Sequence, residues 1–172
     1  MDALTEFQQN LLCPGHRTKL NLPAGFSEQR GVPFKDGDFT CSEGCTWRIE
    51  RGIPRFVPAT TYASGFGFQW QRYQKPQLDS YTGLHHSLER LERCLGGPIG
   101  MLRGKAVLEC GSGAGRFTEH LLAECDALVS LDLSSAVEAN LKTCAGRKPY
   151  LLVQADINQS PLPARALTLW SV

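Results

Sequence analysis

A short apolar run that ends in an acid and opens into three alternating glycines constrains this chain more than any other feature. Residues 106–108 are long enough for a buried strand, and Glu109 follows them directly. The glycines are Gly111, Gly113 and Gly115, and a helix-like apolar period comes next. Glycine reaches left-handed backbone angles and, lacking a Cβ, lets a ligand lie against the main chain. Strand, glycine loop and helix in this order are typical of the first unit of a nucleotide-binding α/β fold.

Two further apolar runs end in acids in the same way. Residues 127–131 precede Asp132, and residues 150–155 precede Asp156. Parallel strands of an open α/β sheet bind ligands at their carboxyl ends, so the acids are predicted to line one edge together with Glu109. An acid after the second strand can accept hydrogen bonds from both ribose hydroxyls of an adenosine. Because NAD-binding folds use the same device, Asp132 alone does not choose between cofactors.

The glycine spacing, an acid followed by glycines at every second position, resembles the first motif of class I S-adenosylmethionine-dependent methyltransferases. The resemblance implies S-adenosylmethionine as cofactor and methyl transfer to an unidentified acceptor, with Asp156 accepting from the adenine amino group. No catalytic residue can be assigned. The cofactor-binding residues that the resemblance implies in the sheet are Glu109, Gly111, Gly113, Gly115, Asp132, Leu133, Asp156 and Ile157.

Two pairs of metal-ligand side chains occur in the first quarter of the chain. Cys13 and His16 form one short knuckle, and Cys41 and Cys45 form the other. Three thiolates and one imidazole in two tight turns match a tetrahedral structural zinc site. The alternative is three free cysteines and an unrelated surface histidine. Residues 52–56 resemble the end of the small zinc-ribbon domain that precedes many bacterial methyltransferase domains.

We expect an α/β protein in three parts: a zinc-ribbon-like β domain over residues 1–58, an aromatic and helical connector over 59–100, and an incomplete Rossmann-like parallel half-domain that binds S-adenosylmethionine over 101–172. Residues 66–73 resemble a segment that lies over the cofactor cleft in one bacterial methyltransferase group. That resemblance places Trp70 and Tyr73 over the methionine end of the cofactor. Alternatively, these aromatic rings only seal the joint between two domains.

Two helices are predicted from local signals. Leucines at helical spacing between positions 84 and 95 indicate an amphipathic helix, which Gly96 ends. Ser135 and Glu138 have the spacing of a capping box, which would begin the helix after the second strand.

The class I methyltransferase fold that this sequence resembles has more strands than are predicted here. A fourth strand begins near residue 166, and the sequence stops at Val172. We therefore expect a fragment, with strand order 3-2-1-4 and an open fourth-strand edge that would pair with a second copy or another chain. Two other interpretations stay open: a non-catalytic zinc-ribbon interaction module with a vestigial cofactor half-domain, and an NAD(P)-dependent oxidoreductase. The second is opposed by Arg116, which stands where a dinucleotide fingerprint requires glycine.

Composition limits the setting and the partners. A net charge of +1 gives no strong nucleic-acid signature. No basic and apolar leader opens the sequence, and no apolar run approaches the length of a membrane span. An odd count of seven cysteines without a secretion signal predicts reduced thiols and a cytoplasmic protein.

Overall fold

The computed structural model describes residues 3–22, 34–58, 78–144, 146–163 and 168–171. Two 3-10 turns occur at Ile99–Leu102 and Ile157–Gln159. The described helices are α1 (Ala3–Gln9), α2 (Asp79–Thr82), α3 (His86–Leu95), α4 (Thr118–Glu124) and α5 (Val137–Thr143). The strands are β1 (Gly37–Thr40), β2 (Thr46–Glu50), β3 (Ile53–Phe56), β4 (Ala106–Cys110), β5 (Ala127–Asp132), β6 (Leu151–Ala155) and β7 (Thr168–Ser171).

Strands β4 to β7 form the predicted parallel sheet. Their order is β6-β5-β4-β7, and every neighbouring pair is parallel. Strand β6 is buried at every position and β5 at all but the last, as expected of strands covered on both faces. The Rossmann-like fold and the 3-2-1-4 order are therefore confirmed.

The N-terminal strands continue the same sheet. Strands β1, β2 and β3 pair in antiparallel fashion, and β3 then pairs in parallel with β6. The result is one seven-stranded sheet in the order β1-β2-β3-β6-β5-β4-β7. The pairing of β3 with β6 was not predicted from the sequence, because local patterns do not show which sheet edge a hairpin will meet.

Alternate residues of the parallel strands face two different cores. Val129 and Leu131 pack with Phe7 of α1 and with ribbon residues such as Phe39. Leu128 faces the opposite side, where α3, α4 and the first 3-10 turn cover the sheet. This division follows from the period of two along a strand. The larger of the two cores is shared by the N-terminal strands and the parallel strands.

The two predicted helices are present, but their starts differ from the expected ones. Helix α3 ends at Gly96, whose φ is 70°, as predicted. At its start, the Asp79 carboxylate accepts from Ser87 N at 3.0 Å and from Leu88 N at 2.9 Å. The capping box before α5 does not form: the helix begins after Ala136, and no side chain of the described residues caps it. The Glu138 carboxylate instead contacts Arg51 in the turn between β2 and β3 and Arg55 on β3.

Trp70 and Tyr73 lie outside the described residues. All seven cysteines have free thiols. Among the described helices, none has the length and apolarity that a bilayer crossing requires.

Candidate cofactor site and metal centre

The glycine loop between β4 and α4 depends on left-handed backbone angles. The φ angles are 80° at Gly111, 50° at Gly113 and 93° at Gly115. A Cβ built on Gly111 or Gly113 would meet none of the described residues within 4 Å, so with respect to these residues this side of the loop has room for a ligand. A Cβ on Gly115 would instead come within 3.3 Å of the Asn140 side chain. The third glycine is therefore required by close packing, and the first two leave room above the backbone.

Glu109 lies beneath the loop and is fully buried. Its Oε2 accepts hydrogen bonds from Thr118 Oγ1 and Ser130 Oγ, each at 2.7 Å. Its Oε1 is buried and has no hydrogen-bond partner among the described residues. Burial raises the pKa of this carboxyl to about 7, although the two hydroxyl donors act in the opposite direction. An unpaired buried oxygen is costly, so Oε1 is suited to a cationic or hydrogen-bonding ligand.

A chain of buried hydrogen bonds continues away from Glu109. Asn140 Nδ2 donates to Thr118 Oγ1 at 2.9 Å, and Tyr150 Oη donates to Asn140 Oδ1 at 2.9 Å. None of these residues, nor Ser130, was predicted from the sequence. Ser130 interrupts the apolar run of β5, and a polar residue within such a run could have indicated a buried hydrogen-bonding partner. It lies directly opposite Glu109 in the register of β4 and β5. Thr118, Asn140 and Tyr150 join the network through tertiary contacts that no local spacing shows.

Asp132 at the end of β5 already accepts hydrogen bonds from its own surroundings. Its Oδ2 accepts from Gly113 N at 2.8 Å, and its Oδ1 accepts from Ser134 N and Ser134 Oγ, each at 2.7 Å. The carboxylate thus connects the end of β5 to the glycine loop after β4. A carboxylate has about four acceptor positions, so ribose hydroxyls could use the remaining one or displace a present donor.

Asp156 directly follows β6 and caps the short 3-10 turn that comes next. Its Oδ1 accepts from Asn158 N at 2.8 Å and from Asn158 Nδ2 at 3.0 Å. The neighbouring apolar residues are unusually accessible, since Leu133 is 41% exposed and Ile157 is 48% exposed. Each of these apolar side chains directly follows an acid at a strand's carboxyl end. This arrangement offers hydrogen-bond acceptors beside apolar surface, as a nucleobase requires.

The four predicted metal ligands come together in the structure. The ligand atoms of Cys13, His16, Cys41 and Cys45 all lie within 4.8 Å of one another. His16 Nδ1 lies 3.8 Å from Cys13 Sγ, 3.7 Å from Cys41 Sγ and 3.5 Å from Cys45 Sγ. A tetrahedral zinc ion with ordinary bond lengths separates sulfur and nitrogen ligands by about 3.6 Å. The cluster therefore has the chemistry and the dimensions of a zinc site.

Backbone turns and electrostatics support a cation at this cluster. Arg17 N donates to Cys13 O at 2.8 Å, and Gly44 N donates to Cys41 O at 3.1 Å, so each pair of ligands belongs to one closed turn. Burial and, after it, the neighbouring thiols of Cys41 and Cys13 raise the pKa of the Cys45 thiol to about 11. Three clustered thiols resist ionising together, and a divalent cation removes that repulsion.

Comparison with known families identifies the part of the chain that contains the glycine loop. A family model described as a methyltransferase domain matches residues 108–169. Residues 108–169 are therefore similar to methyltransferase domains, and we call them the methyltransferase segment. The matched range begins within β4 and includes Gly111, Gly113, Gly115, Asp132 and Asp156. No curated protein matches the sequence.

The chain is also similar to solved structures. Phosphoethanolamine N-methyltransferase 1 of Haemonchus contortus, solved with phosphoethanolamine and S-adenosylhomocysteine, is 21% identical over 54% of this chain and 20% of its own, with a TM-score of 0.39. DhpI, solved with S-adenosylhomocysteine, is 27% identical over 55% of this chain and 41% of its own, with a TM-score of 0.38. A Leishmania major S-adenosylmethionine-dependent methyltransferase is 20% identical over 80% and 59%, with a TM-score of 0.40. The chain thus spans less than two thirds of each of these proteins, and the assignment rests on the family match and the loop geometry.

Three cavities open elsewhere on the described surface. Their volumes are about 300, 580 and 580 Å³. None of the three is lined by Gly111, Gly113 or Gly115.

Proposed function

We propose that this chain binds S-adenosylmethionine at the carboxyl ends of β4, β5 and β6 and takes part in methyl transfer. The observation that carries the proposal is the alignment of Glu109, Asp132 and Asp156 at the ends of three adjacent parallel strands, next to a left-handed glycine loop. Open α/β sheets bind ligands at this edge. The family match over residues 108–169 supports the same cofactor class.

The chemistry of the edge suggests how each end of the cofactor would be held. The open side of Gly111 and Gly113 would receive the methionine end, with buried Glu109 Oε1 available for its ammonium group. Asp132 would accept from the ribose hydroxyls. Asp156 would accept from the adenine amino group, between the exposed side chains of Leu133 and Ile157.

When bound, the cofactor supplies a methyl group already activated by its sulfonium. The chain's task is then to hold that group and the acceptor in line and to exclude water. A hydroxyl or amide acceptor would also need a general base. The described residues contain no acid or histidine that can be assigned this role, and the acceptor is proposed only as a nucleophile-bearing molecule.

We propose zinc as the metal of the Cys13, His16, Cys41 and Cys45 cluster, in a structural role. All four ligands come from the protein, which is typical of structural rather than catalytic zinc. Elemental analysis of purified protein should give about one zinc per chain. Protein without zinc whose fold is unchanged by a chelator would contradict this assignment.

Binding calorimetry tests the cofactor proposal directly. S-adenosylmethionine and S-adenosylhomocysteine should bind, and NAD should not, because Arg116 stands where a dinucleotide loop requires glycine. Binding of NAD in preference to the methyl donor would support the oxidoreductase instead. No binding of any of the three ligands would leave the non-catalytic interaction module as the better interpretation.

A further inference from the structure

Two arginines in the first 58 residues contact, directly or through Gln154, the two loops that would surround the adenosine end of the cofactor. We propose that Arg17 and Arg55 are positioning residues for this end, and that metal binding at the Cys/His cluster therefore strengthens cofactor binding. The inference rests on the proposed function. It concerns the two loops that follow β5 and β6, which carry Leu133 and Ile157.

The first contact joins the metal knuckle to the loop after Asp156. Arg17 directly follows the ligand His16, and its guanidinium donates to Ser160 O and to Leu162 O, the latter at 2.9 Å. Leu12, next to the ligand Cys13, donates its N–H to Pro161 O at 2.7 Å. Three consecutive carbonyls of the loop are thus held by residues that adjoin metal ligands.

The geometry of Arg17 depends on the closed knuckle. Its φ is 58°, a left-handed angle that is unfavourable for a residue other than glycine. Its N–H donates to Cys13 O at 2.8 Å, which closes the turn that carries Cys13 and His16. A metal ion that joins these two ligands would favour the same closed turn. Opening of the turn would move the guanidinium away from the two carbonyls.

The second contact joins β3 to the loop after Asp132. Arg55 is 9% exposed, and its Nη1 donates to Gln154 Oε1 at 2.8 Å. Gln154 Nε2 donates in turn to Leu133 O at 3.0 Å. The other nitrogen of Arg55, Nη2, lies 3.0 Å from Glu138 Oε1 at the start of α5. The guanidinium therefore orients Gln154, and Gln154 holds the carbonyl of the residue that follows Asp132.

The proposal predicts thermodynamic coupling between the metal and the cofactor. Removing the metal should weaken cofactor binding by about fivefold or more, the lower range of coupling between two sites. Because such coupling is reciprocal, bound S-adenosylhomocysteine should tighten zinc binding by the same factor.

Calorimetry with S-adenosylhomocysteine tests the proposal on the full chain. We compare the zinc-loaded protein, the chelated protein and zinc-loaded Arg17→Ala. Alanine has the same left-handed penalty as arginine at this position, so the substitution removes mainly the guanidinium. We expect chelation and Arg17→Ala each to raise the Kd by about fivefold or more. Chelation should have little further effect in the variant, because both changes interrupt the same contact.

Two further variants refine the test. Gln154→Glu keeps an acceptor for Arg55 but removes the donor to Leu133 O, so it should also raise the Kd. Arg48→Ala is the matched control, since Arg48 is exposed and contacts Glu50 on its own strand. It should leave the Kd unchanged. A Kd that is insensitive to chelation, Arg17→Ala and Gln154→Glu would overturn the proposal.

Amide hydrogen exchange separates this inference from the cofactor assignment. In the absence of cofactor, chelation should speed exchange in residues 156–163 and leave β4 and β5 protected. Unchanged exchange in that loop would overturn the contact between knuckle and loop. If the proposed function is wrong, neither the zinc-loaded protein, the chelated protein nor the variants will bind S-adenosylhomocysteine. That result would also overturn the coupling between metal and cofactor. The exchange data would still show whether the knuckle contacts the loop.

Discussion

At the scale of single residues, the candidate site separates into residues that face a ligand and residues that hold them. Gly111 and Gly113 leave open space, whereas Gly115 packs against Asn140. Glu109 lies inside a hydrogen-bond network, and Asp132 connects two loops. Each of these differences leads to a substitution with a specific expected effect.

Asp132→Ala should weaken S-adenosylmethionine binding. The ribose hydroxyls would lose a charged acceptor, and hydrogen bonds to charged groups contribute about 1–3 kcal/mol. Calorimetry of the variant measures the loss. Asp126→Ala is the control, because this exposed aspartate lies at the opposite end of β5. An unchanged affinity in Asp132→Ala would show that the ribose assignment is wrong.

Gly115→Ala should destabilise the protein more than Gly83→Ala does. Both glycines have positive φ, 93° and 72°, so both variants incur a left-handed penalty of about 1–2 kcal/mol. The Cβ at position 115 also meets Asn140, at 3.3 Å, whereas the Cβ at position 83 meets none of the described residues within 4 Å. Urea unfolding of the two variants measures the difference. Equal losses would show that Asn140 moves aside without cost.

The free energy of unfolding should fall as the pH rises through the titration of Glu109. Burial raises the pKa of this carboxyl from 4.5 to about 7 in the folded chain, so the folded state retains a proton that the unfolded state has lost. Stability is therefore highest below the unfolded value and decreases between about pH 4.5 and pH 7. The decrease is up to about 3 kcal/mol, from about 1.4 kcal/mol for each unit of pKa.

The Glu109→Gln variant isolates this effect. Glutamine does not titrate, so the variant lacks the loss of stability that the wild type shows on deprotonation of Glu109. Between pH 5 and pH 8, the unfolding free energy of the variant should therefore rise relative to that of the wild type. Urea unfolding at several pH values measures it. A difference that is constant with pH would contradict the raised pKa.

At the scale of elements, two short knuckles carry the metal ligands and adjoin residues buried in the larger core. Cys13 and Cys41 are members of that core, together with Phe39 and Leu11. A bound metal adds its binding free energy to the free energy of folding, because the ligand set is not preformed in the unfolded chain. The cluster is therefore expected to contribute to the stability of the N-terminal strands.

Removal of the metal should lower the midpoint of thermal unfolding. The chelated wild type and Cys41→Ser should unfold at similarly reduced temperatures, because each lacks a complete ligand set, and chelation should not affect the variant further. Scanning calorimetry measures the midpoints. Cys94→Ser is the control, since Cys94 is exposed and outside the cluster. If a chelator lowered the midpoint of Cys41→Ser as much as that of the wild type, the metal would not be bound at this cluster.

At the scale of the whole molecule, the N-terminal strands and the methyltransferase segment share one sheet and one core. Strand β3 pairs with β6, and Phe56 stacks on Phe39 with ring centroids 6.1 Å apart. At the other end of the sheet, β7 pairs with β4. Pairing of another chain at the far side of β7 stays a prediction, as do the acceptor and the compartment.

The shared sheet predicts a single cooperative unfolding transition. Peptides from β2 and from β5 should lose amide protection at the same urea concentration, because the joint between β3 and β6 transmits unfolding from one part to the other. Hydrogen exchange across a urea series measures both midpoints. An earlier midpoint for β2 would show that the N-terminal strands unfold independently.

Much of the local chemistry could be predicted from the sequence. Apolar runs ending in acids predicted β4, β5 and β6, and the glycine spacing predicted the loop between β4 and α4. Ligand type and spacing predicted the Cys/His cluster. These features depend on neighbours a few positions away, so periodicity and residue chemistry indicate them. The capping box at Ser135 was wrong because Glu138 is used by a tertiary ion pair with Arg55.

By itself, the sequence determined the strand and loop unit, the acids at the strand ends and the two pairs of candidate metal ligands, since each is encoded by residues close together in the chain. Only the tertiary structure decided that β3 joins β6, that Asn140 and Tyr150 extend the network of Glu109, and that Arg17 holds the loop after Asp156. These contacts join residues far apart in the chain; Arg17 and Ser160 are 143 positions apart. Which distant surfaces meet depends on the free energy of burying them together, and local patterns do not show it.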